Sequence, residues 1–218
     1  MSAKLIFSFV FLSISDRVFY GSNLSEDLVE TFNLMRLENN SALVIIDQQK
    51  GIDSPKLGAR NNPDAQIEIL NLLSRWRELN WPIIHVKHRS TQVDSVFWPE
   101  QVGFDFKPEF LPRDNEHVIE KQTPCAFTHT NLQNLLIQHG ITCVVMVGAS
   151  TNNSVEATVR AGGCLGFNMT VVENACFAFA KADYFGLLRS AEEVHAMSLA
   201  NLNNEYALVV NSADLILR

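Results

Sequence analysis

Three polar residues that together could carry out acyl chemistry lie where predicted strands end. Asp47 closes the apolar run SALVIID, Lys121 closes HVIEK, and Ser154 follows the apolar run from Cys143 to Val147 after a short turn. Parallel strands bring their carboxyl ends to one edge of a sheet, where α/β proteins assemble their sites. The sequence therefore predicts that a carboxylate, an ammonium group and a hydroxyl group meet at this edge.

The stretch ITCVVMVGASTNNSVEATVRAGG, residues 141–163, is the segment around which the chain is organised. Its first third is typical of a strand buried on both faces, residues 148–153 are small or turn-forming, and the spacing from Ser154 onward favours a helix. A sharp strand-to-helix turn places unpaired backbone N–H groups and the positive end of the helix dipole at the sheet edge. We expect a nucleophile at such a turn.

This segment resembles the nucleophile segment of the isochorismatase-like cysteine hydrolases, which reads roughly G-x-x-T-x-x-C-V-x-x-T-x-R. The matching residues are Gly148, Thr151, Val155, Thr158 and Arg160. Position 154, where the resemblance requires a cysteine, is serine.

A second motif carries the same resemblance, which covers about Asn40 to Val210. The family has a lysine, then Ser-Ala-Phe and a helix-opening Thr-x-Leu. This chain has Lys121, then Cys125-Ala126-Phe127 and Thr130-Asn131-Leu132. Nicotinamidase-type members also carry an Asp-x-His metal motif after the strand that contains His85, and this chain has none there.

The resemblance implies an Asp-Lys-Cys triad that needs no cofactor. Asp47 would take the proton of the nucleophile, which attacks a carbonyl carbon, while the Lys121 cation favours the charged forms. Backbone N–H groups at Ala149, Ser150 and Ser154 would stabilise the oxyanion. The family often has a cis peptide bond that would fall at Ala149–Ser150.

Serine at position 154 has four interpretations. It replaces the thiol in an engineered, disabled hydrolase, or it is natural in a protein that binds a ligand without turnover. Alternatively, Ser154 acts with an uncharged Lys121 as base, or Cys125 is a displaced nucleophile. An alcohol proton is many pKa units harder to remove than a thiol proton, and Asp47 is a weak base for it.

Substrate contacts are predicted for five residues around these strand ends, and no metal site is expected. His85 and His88 are three residues apart on a strand, so they face opposite sides and cannot converge on a metal. The aromatic residues between Arg89 and Glu116 either fix that loop to the body or wall a pocket. The predicted substrate contacts are Gln49, His88, Trp98, Phe127 and Thr151.

Strands alternate with helices along the chain, which predicts an α/β fold. We expect a three-layer α/β/α sandwich around a six-stranded, mostly parallel sheet, which is Rossmann-like and agrees with the fold that the resemblance implies. Residues 40–218 form the predicted hydrolase domain, and residues 1–39 form an N-terminal extension that contains a short helix over Ser25–Met35.

Two helices have a predicted core face. One opens at Asn62-Pro63 and is expected to bury a stripe at residues 67, 70, 73, 76 and 79. The other begins at Ser190, where Glu193 completes a capping box, and is expected to bury Val194, Met197 and residues 199–202.

Composition limits the partners and the compartment. The chain has 218 residues, 47% hydrophobic and 19% charged, with a formal net charge of −7. Nucleic acid and anionic membranes would repel it, so the expected partners are a small-molecule substrate and further copies of the chain. The four cysteines lack metal spacing and are typical of reduced cytoplasmic thiols. An apolar run from Leu5 to Ile14 is either a targeting segment, which would make the protein secreted, or an extension packed on the domain or a neighbouring subunit.

Together these observations favour a hydrolase of a small amide C–N bond. Hydrolysis of the isochorismate vinyl ether is an alternative on the same scaffold, because pocket side chains decide between the two reactions. The rival from another class is a catalytically silent protein that binds a metabolite or serves as an oligomeric partner.

Overall fold

The computed structural model describes residues 35–37 and 39–217. The predicted helix over Ser25–Met35 lies outside them except for Met35, which belongs to a strand. The strands are β1 Met35–Leu37, β2 Ala42–Ile46, β3 Ile83–His88, β4 His117–Lys121, β5 Cys143–Ala149, β6 Asn168–Phe177, β7 Lys181–Ala182, β8 Leu188–Arg189, β9 Leu208–Val210 and β10 Leu215–Leu217. The α-helices are α1 Ala65–Leu79, α2 Leu132–Gln138, α3 Glu156–Cys164 and α4 Ala191–Leu202.

Six of these strands form one parallel sheet in the order β4-β3-β2-β5-β6-β9. The central strands β2 and β5 are apolar and almost wholly buried, as strands covered on both faces must be. Two small pairs stand apart from this sheet: β1 with β10 in parallel, and β7 with β8 in an antiparallel hairpin.

The helices cover both faces of the sheet. Alternate residues of β2 pack against α1 on one side, and the residues between them pack with α2, α3 and α4 on the other. This is the predicted three-layer α/β/α architecture with a six-stranded parallel sheet.

The predicted stripe on α1 is wrong in part. Trp76 and Leu73 are buried, but Ile67 is 57% exposed, and Ile69 and Leu72 are buried in its place. Each three-residue step falls about 60° short of a full turn of an α-helix, so a stripe spaced by threes winds off the face that meets the sheet. The observed core face instead alternates steps of three and four.

The predicted core face of α4 is also wrong in part. Leu202 is buried, but Met197 is 65% exposed, whereas the polar residues His195 and Ser198 are buried. These two side chains make hydrogen bonds to the turn that precedes α3, which offsets the cost of burying them. The capping box of Ser190 and Glu193 forms as predicted.

Across the described stretch, residues 35–37 and 39–217, every helix is too short or too polar to cross a membrane.

Candidate active site

The carboxyl ends of β4, β2 and β5, which lie within four adjacent strands, deliver the candidate catalytic residues to one edge of the sheet. β2 pairs with β5 so that Ile46 lies opposite Gly148, and β3 pairs with β4 so that His88 lies opposite Lys121. Asp47 directly follows β2 with a φ of 54°, a left-handed conformation that Asp tolerates better than most residues. The order of strands therefore brings residues far apart in sequence to one place.

The side chains of Asp47, Lys121 and Ser154 form a closed triangle of hydrogen bonds. Lys121 Nζ donates to Asp47 Oδ2 over 2.8 Å and to Ser154 Oγ over 3.1 Å. Ser154 Oγ donates to the same Asp47 oxygen over 3.0 Å. The hydroxyl proton of Ser154 is thus directed at a carboxylate, as deprotonation by that carboxylate requires.

This triangle is buried. Lys121 is 1% exposed, Asp47 4% and Ser154 5%. Two opposite charges out of water attract strongly, and each compensates the desolvation of the other. In the ion pair Lys121 is an ammonium group, which has no lone pair to accept the proton of Ser154.

The turn between β5 and α3 places Ser154 at the site. Gly148 has a φ of 116°, and a Cβ atom there would lie 2.2 Å from the carbonyl oxygen of Ile46, so only glycine fits. The Ala149–Ser150 peptide bond is cis, as the resemblance implies. Thr151–Val155 then forms a π-helical turn before α3 begins.

The same turn limits which N–H groups can act on an oxyanion. The N–H groups of Asn153 and Val155 both donate to the carbonyl oxygen of Ser150, so they are already used. Ala149, Ser150 and Ser154, the residues predicted for the oxyanion site, all border the cavity described next. Their role in stabilising charge stays a prediction.

A cavity of about 440 Å³ opens above Ser154. Asp47 and Ser154 lie at its base, and the long loop between β3 and β4 supplies much of its wall. The lining residues are Asp47, Ile52, Leu57, His88, Ser90, Thr91, Gln92, Ser95, Phe97, Gln122, Pro124, Ala149, Ser150, Asn153, Ser154 and Phe179.

Of the five predicted substrate contacts, only His88 lines this cavity. Gln49 is buried beneath it, where its side chain bonds the backbone N–H and carbonyl groups of His88. Thr151 is buried against α4, and Phe127 stacks on Phe167 at the border of the core. Trp98 is not among the lining residues.

The aromatic walls of the cavity are Phe97 and Phe179, which sequence reasoning missed. Phe97 directly precedes Trp98, the residue of the same loop that was predicted to contact the substrate. Phe179 follows β6, which runs from Asn168 to Phe177. The apolar run ACFAFA was a signal that this strand continued.

His88 faces the cavity as a neutral imidazole. Burial lowers the pKa of His88 below its ordinary value, the nearby charge of Lys121 lowers it further, and Asp47 opposes both. Its edge packs against the ring of Phe97, with the ring centroids 5.9 Å apart. The lowered pKa means that His88 carries little positive charge near neutral pH.

The alternative that Cys125 is a displaced nucleophile finds little geometric support. Cys125 is half-buried but does not line the cavity, whereas its neighbour Pro124 does. Within residues 35–37 and 39–217, no three His, Cys, Asp or Glu side chains are grouped so that they would hold a metal ion.

Comparisons with known proteins agree with the geometry. Residues 41–214 match the family model described as Isochorismatase domain. YrdC of Bacillus subtilis, an uncharacterized isochorismatase family protein, is 37% identical over 180 residues, which cover 83% of this chain and 96% of YrdC. A crystal structure from Chromobacterium violaceum, assigned to the isochorismatase family, has 47% identity and a TM-score of 0.80, and the match covers 83% of this chain and 94% of that one.

A more distant relative carries a named activity. The ureidoacrylate amidohydrolase RutB of Acinetobacter baylyi is 28% identical over 116 residues. That match covers 52% of this chain and 43% of RutB.

Proposed function

Because the chain belongs to the isochorismatase family, we propose that it is a hydrolase of a small amide whose reaction centre is Asp47, Lys121 and Ser154. The observation that carries the proposal is the hydrogen bond of 3.0 Å from Ser154 Oγ to Asp47 Oδ2, beside the ammonium group of Lys121. A nucleophile, a base and a cation converge there at the base of a cavity that fits a small molecule.

The proposed reaction has two halves. Ser154 Oγ attacks the amide carbonyl carbon as its proton passes to Asp47, and the C–N bond then breaks as Asp47 returns that proton to the leaving nitrogen. Water next attacks the resulting ester with Asp47 as base, which frees the acid and restores Ser154. Lys121 stabilises the negative charge on Asp47 and on the attacking oxygen.

Serine makes the first half slow. A carboxylate with an ordinary pKa of about 3.9 is a poor base for an alcohol, whereas a thiol with a pKa of about 8.5 gives up its proton far more readily. We therefore expect Ser154→Cys to raise kcat by a factor on the order of 10⁴ or more, the scale on which loss of a nucleophile lowers it.

The test measures ammonia release by the native chain and by Ser154→Cys over a panel of small amides and ureides. Isochorismate hydrolysis is measured separately because the family also suggests it. The matched control is Ser154→Cys combined with Asp47→Asn, which keeps the sulfur and removes the base. Activity that appears in Ser154→Cys and is lost in the double variant supports the proposal.

A ligand-binding role is the second candidate, and Ser154 itself favours it. If both the native chain and Ser154→Cys are silent on every amide while small molecules still bind in the cavity, the protein is a binding member of the family. If isochorismate alone is hydrolysed, the vinyl-ether reaction replaces the amide proposal.

We also propose a reducing, cytoplasmic location. All four cysteines are free thiols, and burial raises the pKa of Cys176 to about 12, so that thiol is inert. Fractionation of cells that express the full chain tests this proposal. Recovery of the protein outside the cell, but not of a chain that begins at residue 34, would instead assign a targeting function to the N-terminal segment.

A further inference from the structure

We propose that the cavity above Ser154 selects an uncharged amide and excludes carboxylates. This inference deepens the proposed function, on which it rests, by naming the class of substrate. It is carried by the charges that border the cavity and by two buried polar atoms that lack a hydrogen-bond partner.

The cavity presents no spare positive charge. Among the described residues that line it, only Asp47 and His88 are titratable, and none is lysine or arginine. Lys121 lies beneath the cavity, but its ammonium group is already paired with Asp47. The lowered pKa of His88 keeps that ring neutral. A ligand carboxylate would therefore lose its water without gaining a cation.

Two residues that line the cavity each have a buried polar atom without a hydrogen-bond partner among the described residues. Asp47 Oδ1 is buried without a hydrogen bond, although Oδ2 of the same carboxylate accepts two. His88 Nδ1 is likewise buried without one. A carboxylate such as that of Asp47 can accept a hydrogen bond from an amide N–H group, whereas a ligand carboxylate has no proton to donate and would be repelled by Asp47.

The rest of the lining is neutral. Phe97 and Phe179 offer apolar walls, and Ser90, Ser95 and Gln122 offer neutral hydroxyl and amide groups. Such a surface binds a small molecule with one amide and an apolar body.

Lys181 is the basic residue that requires a control. It lines an adjoining depression that shares Leu57, Ser150, Asn153 and Phe179 with the cavity. Lys181 is exposed, so it keeps its hydration and attracts an anion only weakly through water. We therefore expect Lys181→Gln to leave ligand preference unchanged.

The experiment compares neutral amides with their carboxylate counterparts, using butyramide with butyrate and benzamide with benzoate, at pH 7. Binding to the native chain is measured by calorimetry and by ligand-observed NMR, neither of which requires turnover. We expect each amide to bind at least about tenfold more tightly than its carboxylate, because an unpaired anion is costly to desolvate. Gln122→Arg places a cation at the exposed rim of the cavity. It should lower the ratio of amide affinity to carboxylate affinity by about tenfold, whereas Lys181→Gln should leave this ratio unchanged.

Equal or tighter binding of the carboxylates, or no binding of either class, overturns the inference. Hydrolysis then separates the two proposals. If amides bind more tightly than carboxylates but Ser154→Cys hydrolyses no amide, the inferred selectivity is supported and the proposed hydrolase activity is rejected. If Ser154→Cys efficiently hydrolyses amides that also carry a carboxylate, the inferred selectivity is rejected and the proposed hydrolase activity is supported.

A different observation carries a second inference, which concerns the hairpin of β7 and β8. This arm, residues 181–189, holds its largest apolar side chains in solvent: Tyr184 is 96% exposed, Phe185 89% and Leu188 72%. Asp183 fixes the tip, because its Oδ1 accepts the N–H groups of Phe185 and Leu187. An arm held rigid with exposed aromatic rings indicates a docking surface.

A groove lies between this arm and α4. Its volume is about 700 Å³, and its lining includes Val194, Ala200 and the exposed side chain of Met197. Most charges on its border are paired within the chain, since Arg189 contacts both Asp183 and Glu193 and Glu156 contacts Arg160, whereas the exposed Lys181 has no ion pair among the described residues. The groove therefore suits an apolar occupant rather than a charged one.

We infer that the occupant is the arm of a second copy, in a two-fold arrangement that places each arm in the other copy's groove. One surface carries both an apolar projection and an apolar recess, as a self-complementary interface requires. Aromatic side chains bury roughly 150–250 Å² each, so Tyr184 and Phe185 would supply about 300–500 Å². A standard interface uses roughly 800 Å² per partner, and Leu187, Leu188 and Met197 add to that area.

Sedimentation velocity on the full chain tests this interface. We expect a dimer. The double change Tyr184→Ser with Phe185→Ser should raise the dissociation constant of this dimer at least about 100-fold. The control is Val93→Ser with Val102→Ser, which removes exposed apolar groups elsewhere and should leave the dimer intact. A monomeric full chain, or a dimer that survives the arm change, overturns the inference. So does a dimer that is lost only when residues 1–33 are removed.

Discussion

Thr151 Oγ1 lies 2.8 Å from Nδ1 of His195, and both residues are buried. The contact ties Thr151, the first residue of the π-helical turn, to the last α-helix, α4. Ser198 adds to it, because its hydroxyl group lies 3.0 Å from the carbonyl oxygen of Thr151 and 2.7 Å from Glu156 Oε2. The position of Ser154 thus depends on polar contacts from α4 as well as on the sheet.

Stability should fall as the pH falls below about 6.5, in part through His195. Burial lowers the pKa of His195 below the ordinary value of 6.5, against the opposing effect of Glu173. Below pH 6.5 the unfolded chain therefore binds more protons at this residue than the folded chain, and the stabilisation is complete only above that pH. His85 acts in the same direction, because burial lowers its pKa despite the opposing contact with Glu116.

The measurement for His195 is Tm between pH 7.5 and 5.5. We expect His195→Asn to make that dependence shallower, whatever it does to Tm at pH 7.5. The matched control is His129→Asn, since His129 is exposed and its φ of 56° suits asparagine. An unchanged slope in His195→Asn would contradict the prediction.

Removing the cation of the site should cost far more than removing a surface cation. Lys121→Met leaves Asp47 buried without its ion-pair partner, which we expect to lower the free energy of unfolding by about 3–5 kcal/mol. The surface pair of Lys50 and Asp105 has a similar distance, 3.1 Å, but is largely solvated, so Lys50→Met should cost at most about 1 kcal/mol.

Urea denaturation measures both losses. Adding Asp47→Asn to Lys121→Met removes the uncompensated charge and should recover part of the stability. Equal losses in Lys121→Met and Lys50→Met would show that the buried pair has no special role.

Gly148→Ala should disrupt the turn that carries Ser154. The new Cβ atom would meet the backbone of Ile46, at 2.2 Å from its oxygen, and the φ of 116° is strained for alanine. We expect a loss of at least about 3 kcal/mol or failure to fold. Gly140→Ala is the control, because its φ is 64° with no atom within 4 Å of the new Cβ, and strain alone should cost about 1–2 kcal/mol. The comparison is made by thermal unfolding, and similar losses would contradict the steric account.

Thr158→Val should make the position of residue 154 less well defined while leaving the sheet unchanged. The Thr158 hydroxyl group donates to the carbonyl oxygen of Ser154 over 2.7 Å and accepts the N–H group of Ala126 over 3.0 Å. Valine has the same shape and removes both hydrogen bonds, at a cost of about 2–4 kcal/mol in total. In the Ser154→Cys background we expect kcat to fall by about tenfold or more with little change in KM.

Thr158→Ser supplies the rescue, since it restores the hydroxyl group, and Thr142→Val is an exposed control. Equal kcat values in Thr158→Val and Thr158→Ser would show that the hydroxyl group does not position Ser154.

The sequence determined the strands that deliver the site, because their signals are local. A fully apolar run that ends in one polar residue predicts both a buried strand and the residue at its end. This pattern placed Asp47 at the sheet edge and Ser154 at the turn after β5, whereas Lys121 closes the mixed run HVIEK and was singled out by the resemblance. The structure brings all three within hydrogen-bond distance. The fold class followed from the same alternation of strands and helices.

The tertiary structure decided which side chains wall the cavity and which anchor the turn. Phe97 and Phe179 line the same cavity only because the loop after β3 and the segment after β6 lie at one edge of the sheet, and the local sequence does not show that these two segments come together. His195 and Ser198 interrupt an otherwise apolar helix face because they bond a turn about 45 residues away. Strand ends are set by neighbours in sequence, whereas cavity walls and polar anchors are set by neighbours in space.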